Sequence, residues 1–382
     1  MADETGISWC DVTFNAWRGC AKISPGCAHC YAETLAKNRQ GLDVWGEDAE
    51  RKIAAESTWK KPLAWNRESA ANGRLKYGGT MEERIRVFTA SMSDVFEPRP
   101  DLDAPRRRLF DLIRQTQDLD WLVLTKRPDV AAEWLHRYYV ENRPLEHRDD
   151  EGTLWEHTPS AYLWASRDGI EWGVPPNLWI GTSIENSRFT WRADELRRIP
   201  APVRFISAEP LLGSLFEPGP SAAGSGQPDR ISPQGEGNTT GAHRSVGERQ
   251  GGQPGSKRPL ALTGIDWVIV GGESGGRHAR PMHPDWAREI RDAVLDVDLL
   301  ADTRPALHFK QWGSYAPSGF VSGLGGASPA AKKTARGDRS SPREGGRVDW
   351  TIPYRGPGPK SGGKILDGVE WCEFPVMEAV PA

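Results

Sequence analysis

Seven short runs of β-branched, aromatic and aliphatic residues punctuate the chain at 12–17, 86–90, 121–124, 178–181, 203–206, 267–270 and 307–309. Most are apolar throughout and end on small or polar residues, the mark of strands buried on both faces. Between them lie helix-like stretches at 30–38, 104–115, 129–139, 190–198 and 284–296, with Asp129 and Asp285 as helix-start residues. Strands of this kind alternating with helices predict a parallel sheet. An open doubly wound sheet and a barrel both satisfy that pattern. The polar clusters favour the barrel, because they follow directly on the strands: Ser91 to Asp94, Thr125 to Arg127, Thr182 to Asn186, Ser207 to Glu209, Gly271 to Ser274 and Lys310 to Trp312. In a barrel those carboxyl ends converge on one mouth, whereas along an open sheet they spread out. The expected fold is α/β, an incomplete (β/α) barrel of about six or seven mostly parallel strands with disordered insertions.

Composition sharpens the domain picture. Glycine and proline, 41 and 30 among 382 residues, exceed the usual share, and the excess is concentrated in two stretches, 217–259 and 314–363. The first has almost no large apolar side chain and cannot offset its ordering entropy, so it reads as a disordered Gly/Pro/Ser-rich insertion. The second is a low-complexity stretch interrupted by Phe320, Trp350, Ile352 and Tyr354. The segments 1–216 and 260–313 then form a single domain, and 364–382 reads as a terminal hairpin and tail around the Asp367-Gly368 turn. A net charge of −3 neither demands nor forbids a polyanion partner. No apolar run approaches the ~18 residues of a membrane span, and the acidic start of the chain lacks a signal-peptide pattern. The expectation is a cytoplasmic protein that does not engage a membrane.

Four of the five cysteines fall between positions 10 and 30, which is no disulfide framework and points to metal or redox chemistry. Cys20, Cys27 and Cys30 form a C-x6-C-x2-C run between the first strand and the first helix. Three thiolates on one loop are what a 4Fe-4S cluster with one open iron requires. Zinc is the competing reading: Cys10 or His29 could complete a four-ligand site with the same three cysteines. Unliganded buried cysteines are a third. Cys372, in the tail, reads as a non-ligand.

The loop, together with Ser91-Met92-Ser93-Asp94, Leu124-Thr125-Lys126-Arg127-Pro128, Gly181-Thr182-Ser183-Ile184-Glu185-Asn186, Ser207-Ala208-Glu209-Pro210-Leu211, Gly271-Gly272-Glu273-Ser274-Gly275 and Phe309-Lys310-Gln311-Trp312-Gly313, resembles the three-cysteine proteins of phages and mobile elements, a radical-S-adenosylmethionine-like family. The likeness runs over residues 7–216, 263–313 and 364–375. It implies a partial barrel carrying a 4Fe-4S cluster on Cys20, Cys27 and Cys30, with S-adenosyl-L-methionine on the open iron, cleaved reductively to a 5′-deoxyadenosyl radical. It also implies a reductant such as ferredoxin or flavodoxin and a three-Cys-motif partner protein. A nucleic-acid base or nucleotide is the suggested substrate. By position, His29 would lie near the adenine, Ser93 and Asp94 near the methionine amino group, and Ser183, Glu185, Asn186 and Glu209 near the cofactor's ribose. Glu273 sits in a Gly-Gly-Glu run like the superfamily's methionine-binding motif, but after the sixth strand instead of the second. The superfamily's usual loop is C-x3-C-x2-C, three residues shorter than this one. Lys126, Arg127, Lys310 and Gln311 would offer cations and an amide to a carboxylate or phosphate on cofactor or substrate.

Overall fold

The computed structural model describes residues 5–72, 84–141, 147–148, 154–155, 172–216, 259–274, 278–296, 304–316, 354–355 and 363–375. The expected insertion at 217–259 and most of the low-complexity stretch at 314–363 lie outside the described residues. Seven strands form one sheet: β1 (Val12–Phe14), β2 (Ile85–Thr89), β3 (Leu119–Thr125), β4 (Leu178–Ser183), β5 (Arg204–Ala208), β6 (Trp267–Gly271) and β7 (Ala306–Gln311). All pair in parallel, and their order in the sheet is their order in the chain. A sheet that never doubles back has no switch point and curls one way, so the fold is an incomplete (β/α) barrel with β1 and β7 at its two edges.

The helices of seven residues or more are α1 (Tyr31–Gln40), α2 (Lys61–Asn72), α3 (Asp103–Gln115), α4 (Pro128–His136), α5 (Trp191–Arg197) and α6 (Pro284–Leu295), and a four-residue helix, Glu56–Trp59, precedes α2. Five of the six match expected elements. The sixth, α2, carries apolar side chains too sparsely for its period to show, yet Trp65 from it and the nearby Trp59 are buried. The first predicted strand is shorter than its apolar run. The chain leaves the sheet at Asn15, and Trp17–Arg18 instead pairs antiparallel with Lys52–Ile53.

Alternation along each strand sorts the core into two layers. On the outer face Val87, Trp121, Ile180, Ile206, Val268 and Phe309 pack with helix residues such as Leu109, Leu135, Leu196 and Ile290. The inner face is aromatic at its base: Phe88, Trp179, Phe205 and Trp267 pack under Trp9, with Phe374 against them. Further along the same face the positions are small, with Gly181, Ser183 and Ser207, and Ser183 pairs with Ser207 across β4 and β5. Large residues fill the base and small ones leave room at the carboxyl-end mouth. The tail lies antiparallel along β7, through Phe309 N–H to Trp371 O (2.9 Å) and Glu373 N–H to Leu307 O (3.0 Å), after the short hairpin of Ile365–Leu366 and Val369–Glu370.

Two features of the frame yield predictions. A Cβ added at Gly272 would lie 1.9 Å from the Trp312 carbonyl oxygen, because the loops after β6 and β7 touch backbone to backbone. Gly272→Ala should therefore cost about 1–3 kcal/mol or more, read as a lower melting temperature; unchanged melting would mean that the two loops are not in contact. His308, on the inner face beside Ser8 (Nε2 to Oγ 2.9 Å), is pushed down to about 4 by burial and by Lys310, Lys364 and Arg86. The unfolded imidazole takes up a proton near ~6.5 and the buried one does not. Stability should accordingly fall as pH drops from 6.5 towards 4, and His308→Gln should flatten that slope. A wild-type slope retained in His308→Gln would assign the effect to other groups.

Candidate functional site

The cysteine loop leaves β1 at the carboxyl-end mouth and is fastened there by side chains from the other strands. Gly19, at φ +110°, turns the chain where a Cβ would lie 2.2 Å from the Val44 carbonyl oxygen. It delivers Cys20 next to the loop after β2, with Gly19 bridged to Ser93. Ala21 N–H donates to Glu97 Oε1 (3.1 Å), and Arg127 Nη2 donates to Ala21 O (3.1 Å). Glu97 is paired in turn with the fully buried Arg51 (2.6 Å). Ser24 Oγ donates to Glu185, Arg280 Nη2 to Pro25 O (2.9 Å), and His29 Nδ1 lies 3.2 Å from Glu273 Oε2. Tyr31, 51 % exposed at the start of α1, donates its hydroxyl to Ser91 O (2.9 Å).

Most residues singled out from the sequence therefore meet at one mouth, in roles the structure makes specific. Asp94 is a hub whose four contacts use both oxygens: Phe96 N–H (3.0 Å) and Thr125 Oγ1 (2.7 Å) on one, Lys126 N–H (3.0 Å) and Arg127 Nη1 (2.9 Å) on the other. Burial alone would raise its carboxyl, and the Arg127 guanidinium with those donors holds it below the usual range. Glu185 is fully buried between Lys126 Nζ (3.1 Å) and Arg192 Nη1 (2.9 Å). Glu273 is clamped by Arg280 through its backbone N–H (2.7 Å) and Nε (2.9 Å). Glu209 is held by the ends of two side chains, Lys310 (2.7 and 2.8 Å) and Gln311 (3.4 Å), and Gln311 also donates to Ser274 Oγ (2.8 Å). Ser93 and Ser183 lie at the same rim. Asn186 stands apart as a cap, its side chain accepting from Arg188 N–H (3.0 Å) on the turn after β4.

The three cysteines share this loop and are all partly buried. Cys20 and Cys30 pack on one small cluster with Ala32, Ala36, Val44, Trp45 and Met92. Burial, then the charge of Asp94, pushes the Cys20 thiol up to about 12, and burial also raises Cys30. Cys20 Sγ donates to Ala21 O (3.3 Å) and lies 3.9 Å from Arg127 Nη1, while Cys27 Sγ is 3.7 Å from Ser24 Oγ. Among the described residues no three His, Cys, Asp or Glu side chains converge as a metal site. The donor chemistry, three soft ligands on one loop, suits thiolate-bound iron or zinc, and burial keeps the Cys20 and Cys30 thiols protonated until a cation replaces the proton. Cys10 belongs elsewhere. It is buried in the inner-face cluster ahead of β1 with Trp9 and Phe88, apart from the small cluster on which Cys20 and Cys30 pack. Cys372 is exposed along β7.

Sequence reading missed Arg51, Glu97, Arg192 and Arg280, the partners that fasten the loop. Nothing about an arginine in a helix or an ordinary loop marks it as reaching the mouth of a barrel; only the fold brings Arg192 beside Glu185.

Residues 4–375 match the family described as a protein of unknown function, DUF5131. The chain belongs to that family. No curated protein and no solved structure matches it. Membership thus covers the whole barrel and the cysteine loop without assigning an activity, and no helix among the described residues is long and apolar enough to cross a membrane.

Proposed function

We propose that this DUF5131 chain is an iron-sulfur enzyme of the radical S-adenosylmethionine kind, working in a reducing, cytoplasmic compartment. One observation carries the reading: a three-cysteine loop lies at the carboxyl-end mouth of a half barrel, fastened from the strand ends by Glu97, Arg127, Glu185, Glu273 and Arg280. That mouth is where (β/α) barrels hold their chemistry. Cys20, Cys27 and Cys30 would bind a 4Fe-4S cluster through three irons. When bound, the cluster supplies one electron, taken from ferredoxin or flavodoxin, to break a carbon–sulfur bond of S-adenosyl-L-methionine into methionine and a 5′-deoxyadenosyl radical.

The chain's own residues divide the remaining work. Asp94 and Glu185 spend their charge on Arg127, Lys126 and Arg192, so they hold the frame that keeps the loop in place. Ser93, whose backbone bridges to Gly19, stands nearest the loop to meet the methionine amino group. Glu209, held by side-chain ends, is the carboxylate placed to accept from ribose hydroxyls. Lys310, at the rim beside Glu209, would meet the phosphate of a nucleotide or nucleic-acid substrate.

The test is anaerobic purification with iron, sulfide and zinc analysis, then reduction with dithionite and addition of S-adenosyl-L-methionine. About four irons per chain, absorption near ~400 nm from thiolate-bound iron and release of 5′-deoxyadenosine are expected. A colourless protein holding one zinc would overturn the enzyme reading and leave a zinc-stabilised module that binds nucleic acid or protein.

A further inference from the structure

Beside the carboxyl end of β1 lies a cavity of about 320 Å³. It opens where Trp17–Arg18 pairs with Lys52–Ile53 and where α2 begins. Three cations line it, Arg18, Lys52 and Lys61, and none of its lining residues is acidic. Arg18 Nη1 is bonded to the neutral amide of Gln40 (3.0 Å), which orients the guanidinium without cancelling its charge. Among the described residues no ion pair neutralises Arg18 or Lys52. This is a local concentration of positive charge on a chain whose net charge is −3.

Lys61, the first residue of α2, brings the third cation to the rim. Asn15 and Thr58 add polar groups to the wall, over a floor that includes the buried Phe14 and Trp65. The volume lies at the lower end of the ~300–1,000 Å³ typical of small-molecule sites. Arg18 and Lys52, with Lys61 beside them, exceed what a monocarboxylate needs and match a group carrying two or more negative charges.

We infer that this cavity is a binding site for a phosphorylated small molecule, its phosphate held by Arg18, Lys52 and Lys61. The inference is independent of the iron-sulfur reading, since it uses none of the residues at the mouth except through Asn15. That side chain donates to Ser91 Oγ (3.0 Å) and accepts from Met92 N–H (2.8 Å), so the cavity adjoins the loop after β2.

Isothermal titration calorimetry of the full-length protein with inorganic pyrophosphate, and separately with adenosine 5′-diphosphate, tests it. Saturable binding of pyrophosphate to one site is expected, at least about tenfold weaker in the Lys52→Glu/Lys61→Glu variant, the loss that follows removal of charge-assisted hydrogen bonds. Both lysines are exposed, so the variant should keep the wild-type melting temperature. If it does not, Lys52→Gln and Lys61→Gln repeat the comparison singly. Tighter binding of the nucleotide than of pyrophosphate would assign part of the recognition to an organic body on the apolar floor, and equal binding would assign it to phosphate alone. Pyrophosphate that fails to bind at ~10 mM, or that binds wild type and variants alike, overturns the assignment. So does binding confined to single-stranded oligothymidylate, which would make the cavity part of a polymer track.

Discussion

Cys27→Ala is expected to reduce iron loading from about four per chain to near zero and to abolish 5′-deoxyadenosine formation, whereas Cys372→Ala leaves both unchanged. The contrast follows from position. Cys27 closes the short turn of Pro25–Cys27 on the loop at the mouth, while Cys372 lies exposed along β7. With one of three thiolates gone, the proposed cluster would lose an iron ligand. The change should be almost silent in the metal-free fold. Cys27 is partly exposed, its sulfur has only a long contact to Ser24 Oγ (3.7 Å), and a surface truncation of this size costs within about 0.5 kcal/mol. Iron analysis and metal-free melting curves on the same preparations separate the two effects. Equal iron in wild type and Cys27→Ala would remove that cysteine from the ligand set, and a large drop in metal-free melting would show that it is structural.

The architecture was legible because a parallel strand buried on both faces must be apolar nearly end to end. Seven such runs, interrupted by helical periods, leave few alternatives once polar clusters are seen to follow the strands. Strand ends were less legible: β3 begins at Leu119, two residues before the recognised run, because Asp120 interrupts its apolar pattern. Helix α2 was illegible for the opposite reason, burying two tryptophan contacts with too few apolar residues to set a period.

The site was legible as a location, and its internal logic was not. Asp94, Glu185, Glu209 and Glu273 were recognisable as carboxylates at strand ends, which suggests ligand contacts. In the fold, three of them are absorbed in holding arginines, lysines and the cysteine loop. Which carboxylate is structural and which is available depends on partners far away in sequence, such as Glu273 with His29 and Lys310 with Glu209. Spacing within one loop carries no information about those distances. Ala90, at φ +67°, is a further case: a non-glycine residue held in the left-handed region where the chain turns out of β2 towards Ser93 and Asp94. Nothing in the local sequence signals it.

Glu185→Ala should be the most destabilising single change at the mouth. The side chain is fully buried, and its partner Arg192 is almost as inaccessible, with 2 % of its side chain exposed. Burial alone would raise the carboxyl, yet Lys126, Arg192 and Ser24 together hold it below the ordinary glutamate range. A carboxylate whose folded pKa is depressed stabilises the fold above its unfolded value, and that contribution is lost as pH falls. Removing the carboxylate leaves the Arg192 guanidinium buried beside the Ser183 carbonyl (2.8 Å) and the Phe189 (4.4 Å) and Trp191 (5.9 Å) rings, with no anion among these neighbours. An uncompensated buried charge of this kind costs about 3–5 kcal/mol, and the loss should be visible as a lower melting temperature at neutral pH that narrows towards wild type in acid. Ser24 loses its anchor at the same time, so the cysteine loop should become more susceptible to proteolysis than the barrel around it. Pairing the change with Arg192→Met removes the stranded charge and should recover part of the stability without restoring the loop. A variant that melts with wild type at neutral pH would show that the carboxylate does not neutralise Arg192, and full recovery of loop protection in the double variant would show that Ser24 is held by something other than Glu185.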